Sequence, residues 1–457
     1  MGDPIGFSFS YILALGSVIL YREVQSNMRV RDQAQLSGLS ACFLALGLIF
    51  STGCHRASTV STPLSQRGYL WQRAWNPAVA EALNQADGRM DGVVILGAEI
   101  LWRGKSPESV RATIDWEFLK NLKKPVAIAL RVAPYPGPFS ATDNAGLHLI
   151  QQASSLLAEA QNHGIKLSEF QLDFDCAQKK LDGYGVWLDA LRPVIRPTHF
   201  VITTLPSWLD EPGFEVLIKH VDGYVLQVHS VPTDAQIGHA ALCDPSLARK
   251  WINAAARFGR PFAAALPTYR CLAGYDQSGK LLSVAMDSVK SPWPPGTRIL
   301  DFSTNSDEVA SLVKELQTAH PPELNELLWY RIPVATDQLN WRWPTLVAVM
   351  EGRPPLHRLA VVQEGSNPVD LSISNTGEAD KQGAVTVTVT WDRGTLVAWD
   401  ALPDWKVKTE SGRAVFIQDL ATRSQLPPGQ QHSIGWLRYD QVTTVRSDAE
   451  ERPQDDR

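Results

Sequence analysis

Glu169-Phe170-Gln171-Leu172-Asp173-Phe174-Asp175 alternates apolar with polar side chains. Successive side chains of an extended strand point to opposite faces, so Phe170, Leu172 and Phe174 share one face and Gln171, Asp173 and Asp175 the other. The flanking chain decides what those faces meet. Short β-type runs at 68–75, 92–99, 125–132, 169–175, 199–205, 223–229, 261–269 and 327–334 alternate with helical runs. The helical runs are 110–122 after Ser106-Pro107-Glu108, 145–162, 184–194, 246–258 after Asp244-Pro245, and 307–318. Such alternation predicts an α/β protein, a TIM-like (β/α)8 barrel at 67–352. An open doubly wound sheet alternates in the same way; the count of strands and the lack of a Gly-rich phosphate loop favour the barrel. In a barrel the Phe face packs on helices, and Gln171, Asp173 and Asp175 climb the interior toward the mouth. Three buried polar groups are costly unless paired or used.

Other strand ends bring partners to the same rim. Glu99 ends the second strand, Arg131 follows two inner alanines of the third, and Gln227 and His229 end the sixth. Tyr269 ends the seventh, and Trp329 with Arg331 ends the eighth. Asp175, Asp173 and Glu99 are the candidate catalytic carboxylates. The strand rise puts Asp173 and Asp175 about 6.6 Å apart on one side of the mouth, so they cannot by themselves flank a scissile bond. The second group is then either Glu99 or the substrate's own acetamido group with help from Tyr269. Trp75, Trp102, Trp208, Trp341 and Trp343 follow strand ends, and flat rings beside charged groups suit a sugar. Arg131, Trp208, Gln227, His229, Tyr269, Trp329 and Arg331 are the candidate substrate-binding residues.

From residue 355 the pattern changes. The runs 369–374, 384–391 and 432–437 alternate with period two, Asn375-Thr376-Gly377 makes a turn, and no long helical run intervenes. A small β-sandwich is predicted at 355–445, followed by a charged, disordered tail at 446–457. Residues 274–286, with Asp276-Gln277-Ser278-Gly279 at the centre, suggest a hairpin above the barrel mouth.

The N-terminus reads as an export signal. Arg29 and Arg31 precede an apolar run that ends in Ser51-Thr52-Gly53-Cys54, so 28–54 resembles a signal peptide with a lipobox-like end. Cys54 is the expected lipidation site, although Ser51 stands where the lipobox usually has Leu. Residues 1–27 are expected to lie upstream of the true start at Met28; the other reading makes 5–21 a membrane span. A Ser/Thr-rich linker covers 55–66. The expected location is the cell envelope, facing the periplasm, with the outer membrane favoured because His55 rather than Asp follows the anchor. An exported protein with Cys176, Cys243 and Cys271 in its mature part has room for one disulfide. Cys243 and Cys271 are the expected pair, because both lie at one rim of adjacent strands.

Over the 457 residues, 44% are hydrophobic and 20% charged, the make-up of a globular protein with a real core. A net charge of -5 argues against a nucleic-acid partner. No cofactor motif is present, and neither CxxC nor HxH spacing supports a metal.

The strand 170–176 (FQLDFDC), together with Leu205-Pro206-Ser207-Trp208, Gln227-Val228-His229 and Trp329-Tyr330-Arg331-Ile332-Pro333, resembles a bacterial family known only as a domain of unknown function. That family is commonly lipoprotein-like and similar to glycoside-hydrolase barrels, and the resemblance spans about residues 68–345. It implies a barrel without supplying a reaction. A more distant likeness is to chitinase-type barrels, whose fourth strand ends in Asp-x-Asp-x-Glu. Asp173 and Asp175 match the aspartates, whereas Ala177 stands at the proton-donating Glu. The leading expectation is an envelope-anchored, glycoside-hydrolase-like protein acting on an envelope or extracellular polysaccharide. The alternatives are a non-catalytic carbohydrate-binding or structural lipoprotein with a degenerate site, and a metal-dependent hydrolase using Asp173, Asp175 and His229.

Overall fold

The computed structural model describes residues 59–104, 106–229, 241–286, 293–381, 383–419 and 425–452. The expected signal peptide, Cys54 and residues 55–58 of the expected linker lie outside them. Two compact units are present, one ending at Asn340 and one running from Trp341 to the C-terminus with residues 306–311.

The first unit is a closed barrel. Its strands are β1 (Ser65–Leu70), β2 (Gly92–Arg103), β4 (Val126–Val132), β5 (Glu169–Phe174), β6 (His199–Thr204), β7 (Gly223–Gln227), β8 (Phe262–Pro267) and β12 (Leu324–Tyr330). They pair in parallel in that order, and β12 closes on β1. All eight expected strands are present, within a few residues of their expected ends. Small or branched side chains fill the interior: Val94, Leu96, Ala127, Ala129, Val201, Val225, Ala263, Ala265 and Leu328. The intervening helices start where the chain supplies caps. Asn76, Asp143 and Asp244 accept hydrogen bonds from the first free amides of Pro77–Asp87, Asn144–Asn162 and Pro245–Ala256.

One expected helix is not formed as read. Ser106–Arg111 is strand β3, antiparallel to the extended end of β2, and only Trp116–Lys120 is helical. Ser106-Pro107-Glu108 imitates a helix start, but β2 runs beyond the barrel wall, and its unpaired edge is satisfied by β3. Between β8 and the helix Ser306–Thr318, β9 (Cys271–Tyr275), β10 (Leu281–Ala285) and β11 (Arg298–Phe302) form a three-stranded antiparallel sheet. The expected hairpin is thus present, with a third strand against β9.

The disulfide is not. Cys176, Cys243 and Cys271 are buried thiols. Leu242, rather than its neighbour Cys243, joins the apolar cluster of the inserted sheet that holds Cys271. Burial pushes the Cys271 thiol well up.

The second unit is a sandwich of two four-stranded antiparallel sheets. One has the order β13 (Leu359–Glu364), β14 (Val369–Asn375), β19 (Gln431–Tyr439), β16 (Leu396–Ala401). The other has β17 (Trp405–Glu410), β18 (Arg413–Gln418), β15 (Ala384–Trp391), β20 (Val445–Arg452). Val385, Val387, Val389, Phe416, Leu371, Ile373 and Leu437 interdigitate between the sheets. Two boundaries differ from expectation. The expected barrel end at 352 moves back to Asn340, because Thr345 donates to the Glu378 carbonyl at 2.5 Å and Arg353 grips the Glu378 carboxylate at 2.5 and 2.8 Å. The expected disordered tail is a strand as far as Arg452, paired along the whole of β15. Its Val445 and Ala449 pack on the core while the intervening charged residues face water, as suits an edge strand.

Candidate functional site

β5 carries the polar face as its alternation predicts. Phe170, Leu172 and Phe174 are fully buried toward the helix layer, where Phe174 meets Tyr184 and Trp187. Gln171 points inward and accepts a 2.6 Å hydrogen bond from Tyr69. Arg131 is the register partner of Asp173 on β4, and its guanidinium donates to Asp173 Oδ2 and, at 3.3 Å, to Asp175 Oδ2. Thr203 of β6 donates to Asp173 Oδ1 at 2.7 Å, and Gln227 of β7 reaches Asp175 Oδ1 at 3.4 Å.

These contacts separate the two aspartates. Asp173 is held in place by a cation and a hydroxyl. For Asp175, burial raises the pKa and the Asp173 charge adds to it, while Arg131 and Gln227 only partly pull it back. Burial opposes the charge of Arg131, but the two carboxylates outweigh it and keep the guanidinium protonated.

Glu99 faces the same interior for a reason invisible in the periodicity. Leu96 points inward, so strict alternation would turn Glu99 outward. A register shift at Gly97 inserts one residue, and Glu99 then lies beside Arg131 with its carboxylate on Arg73. A Cβ at Gly97 would stand 2.7 Å from Leu156 and 2.8 Å from Ile128, so no side chain fits there without displacement.

An aromatic group fills the opposite wall. Tyr69, Trp71 and Tyr330 make three mutual edge contacts at 5.3–5.7 Å between ring centroids. His229 stacks on Tyr330 at 5.9 Å, and Tyr269 meets both edge-on. Burial pushes the His229 imidazole down to about 4, and its Nδ1 lies 3.2 Å from the Ala265 carbonyl, so the ring is neutral at neutral pH.

Three expected binding residues lie elsewhere. Trp208 is fully buried outside the barrel, donates to the Cys176 carbonyl at 3.1 Å and packs beside Tyr184 and Phe214. Trp329 points to the helix layer, where its indole N–H donates to Gln66 at 3.0 Å. The inward residue of β12 is Tyr330, because a shift between Leu324 and Glu326 sets the alternation. The run Leu327-Leu328-Trp329-Tyr330 of β12 is apolar or aromatic on both faces, so its periodicity carried no phase. Arg331 is buried against Asp337 at 2.5 Å and donates to the Met286 carbonyl at 2.9 Å, so it braces the loop after β12. Tyr69, Trp71, Arg73, Thr203 and Tyr330 were missed. The spacing Tyr69, Trp71, Arg73 was a usable inward signal.

At the other end of the interior, Arg67 bridges Glu326 and Glu169, and Gln171 donates to Glu169 at 2.5 Å. Among the described residues no group of His, Cys, Asp and Glu is arranged to hold a metal, and no helix is long and apolar enough to cross a membrane.

Residues 123–335, which include β4 to β8 and β12, match the family model described as domain of unknown function DUF3142. No curated protein matches the chain in sequence. Among solved structures, it is similar to a chitinase from Bacillus thuringiensis at 10% identity and a TM-score of 0.41, covering 85% of this chain and 100% of that one. It is also similar to the spore cortex-lytic enzyme of Bacillus cereus at 12% identity and a TM-score of 0.45, covering 64% and 74%. A chitinase from Chromobacterium violaceum matches at 13% identity and a TM-score of 0.41, covering 63% and 98%.

Proposed function

We propose that this protein is an exported, lipid-anchored glycoside hydrolase-like enzyme that cleaves an envelope or extracellular polysaccharide, with Asp175 as its proton donor. The observation that carries the reading is the inequality of the two β5 aspartates. Asp173 is paired by Arg131 and Thr203, while Asp175 is held toward its protonated form at the end of the strand. A general acid for the glycosidic oxygen is favoured by a raised pKa, and the adjacent Asp173 carboxylate contributes to that shift. Ala177 stands where chitinase-type barrels carry a donating Glu, which leaves Asp175, just past β5, as the candidate acid here.

Asp173 supplies negative charge to the positive character that develops on the sugar ring. The rings of Trp71, Tyr330 and Tyr269 offer the apolar wall that a pyranose face packs on. Glu99 is level with Asp173, two strands and about 10 Å away along the sheet, so it approaches the site from a different strand than Asp175. Glu99 is accordingly assigned to water activation, with Arg73 setting its orientation.

The test is incubation with a panel of envelope and extracellular glycans. Shortened products are expected, and Asp175→Asn should slow their release by about 10² or more. Binding without any product would replace the reading with that of a carbohydrate-binding lipoprotein. The bridging of both aspartates by Arg131 favours that second reading, because it occupies one oxygen of each.

A further inference from the structure

The outer face of the sandwich sheet β13-β14-β19-β16 carries a second arrangement of an aromatic ring among carboxylates. Leu437, Tyr439 and Ile434 of β19 point into the core, so Trp436 stands on the opposite face, half-buried. Its register partners are Asp370 on β14 and Asp400 on β16, and Asp370 is itself paired with Glu364 on β13. Alternation puts all three carboxylates on the outer face with the indole, because their neighbours Val369, Leu371 and Ala401 pack inward. All three are exposed. Arg438, the next outward residue of β19, is exposed as well, and its partner is only Ala398. Among the described residues no other ring packs on Trp436, although Trp391 of the same unit packs on Tyr439.

We propose that this face is a binding platform for an uncharged polysaccharide strand, with Trp436 as the stacking surface. The inference shares its substrate class with the function proposed for the barrel. The row from Glu364 to Asp400 spans four strands, about 14 Å, roughly the length of three pyranose units. A sugar offers an apolar ring face to the indole and a rim of hydroxyls; Asp370 and Asp400 accept from them, and Arg438 donates to them. Other occupants fit less well. Asp370 and Asp400 are two strands apart, about 9.6 Å, too far to share one cation. The carboxylates repel nucleic acid, and one indole ringed by charges lacks the apolar centre of a protein interface.

The test uses the full-length protein carrying Asp175→Asn, so that nothing is consumed, on three uncharged insoluble glycans, chitin, cellulose and β-1,3-glucan. Retention on at least one is expected. Trp436→Ala should weaken it at least tenfold, Trp436→Phe should restore part of it, and Asp370→Asn with Asp400→Asn should weaken it severalfold, all with unchanged melting temperature. In the otherwise native chain, Trp436→Ala should leave turnover of short soluble oligosaccharides unchanged. Binding is read independently of turnover, so an inactive barrel leaves the inference standing. Failure of the parent protein to bind all three, or equal retention of parent and Trp436→Ala, would overturn it. Binding to chitosan alone, broken by salt and indifferent to Trp436, would mark a simple ion-exchange patch and overturn it too.

Discussion

Asp173 and Asp175 are chemically identical, and their surroundings separate them. The Asp173 charge helps to raise the Asp175 pKa, so Asp173→Asn should move the alkaline limb of any pH–activity profile, where the proton donor is lost, to lower pH. The same change leaves Arg131 partly unpaired in the barrel and should cost about 2–4 kcal/mol in urea unfolding. Asp175→Asn acts oppositely on stability. A carboxyl whose pKa is raised by folding contributes stability only at low pH, and that contribution is lost as pH rises through the folded value. Removing the carboxyl should therefore leave the melting temperature at neutral pH unchanged or higher; a fall of several degrees would show that Asp175 is a charged structural anchor. His229 has its own window. Its pKa is lowered from 6.5 to about 4, so the unfolded chain binds the extra proton between those values. Stability is then full above pH 6.5 and falls toward pH 4, by about 1–3 kcal/mol, since the residue is only partly buried. His229→Gln should flatten that limb in a melting series across pH, and an unchanged limb would show that the imidazole charges freely.

At the scale of the strand, a single inserted residue decides whether a carboxylate reaches the site. The shift at Gly97 turns Glu99 inward, and the packing of Leu156 and Ile128 against Gly97 leaves no room for a side chain. Gly97→Val should therefore destabilise the barrel by about 2–3 kcal/mol through overpacking and abolish activity beyond what the lost stability explains. Equal loss of activity in Gly97→Val and in a β2 core variant of matched stability would show that the bulge has no part in aiming Glu99. The closed end of the barrel depends on Arg67. Arg67→Met strands Glu169 and Glu326 in the interior and should cost about 3–5 kcal/mol in denaturant titration. In the sandwich, β20 pairs with β15 from Ala384 to Trp391. A chain ending at Thr444 should show faster amide exchange throughout β15, whereas unchanged exchange would mark β20 as dispensable.

For the whole molecule, export is proposed from the N-terminal segment alone. The mature chain is expected to begin at Cys54 and to carry lipid, which mass spectrometry of the membrane fraction would detect as an acylated Cys54. A water-soluble product cut elsewhere would exclude the anchor. The proposed anchor, barrel site and sandwich platform would together suit an insoluble substrate, because two sites on one chain raise the effective concentration of the polymer at each.

The barrel was legible in the sequence because its strands and helices differ in period, and because β5 alternates strictly between Phe or Leu and polar residues. That alternation also supplied Gln171, Asp173 and Asp175, and the neighbouring strands supplied Arg131 and Gln227. The sandwich was legible from the period of its strands, but the charged composition of 446–452 concealed an edge strand, since pairing with β15 needs backbone groups rather than apolar side chains. What only the tertiary structure decided is phase and partnership. The last four residues of β12 are apolar or aromatic on both faces, so Tyr330 and Trp329 could not be assigned to the inside and the outside without knowing where the strand shifts against β8. Arg331 was equally suited to the mouth or to Asp337. Cys243 and Cys271 share a rim without sharing a cluster. A sequence carries the period of each strand; its register against its neighbours depends on bulges and packing between residues far apart in the chain, and that register set which side chains met at the mouth.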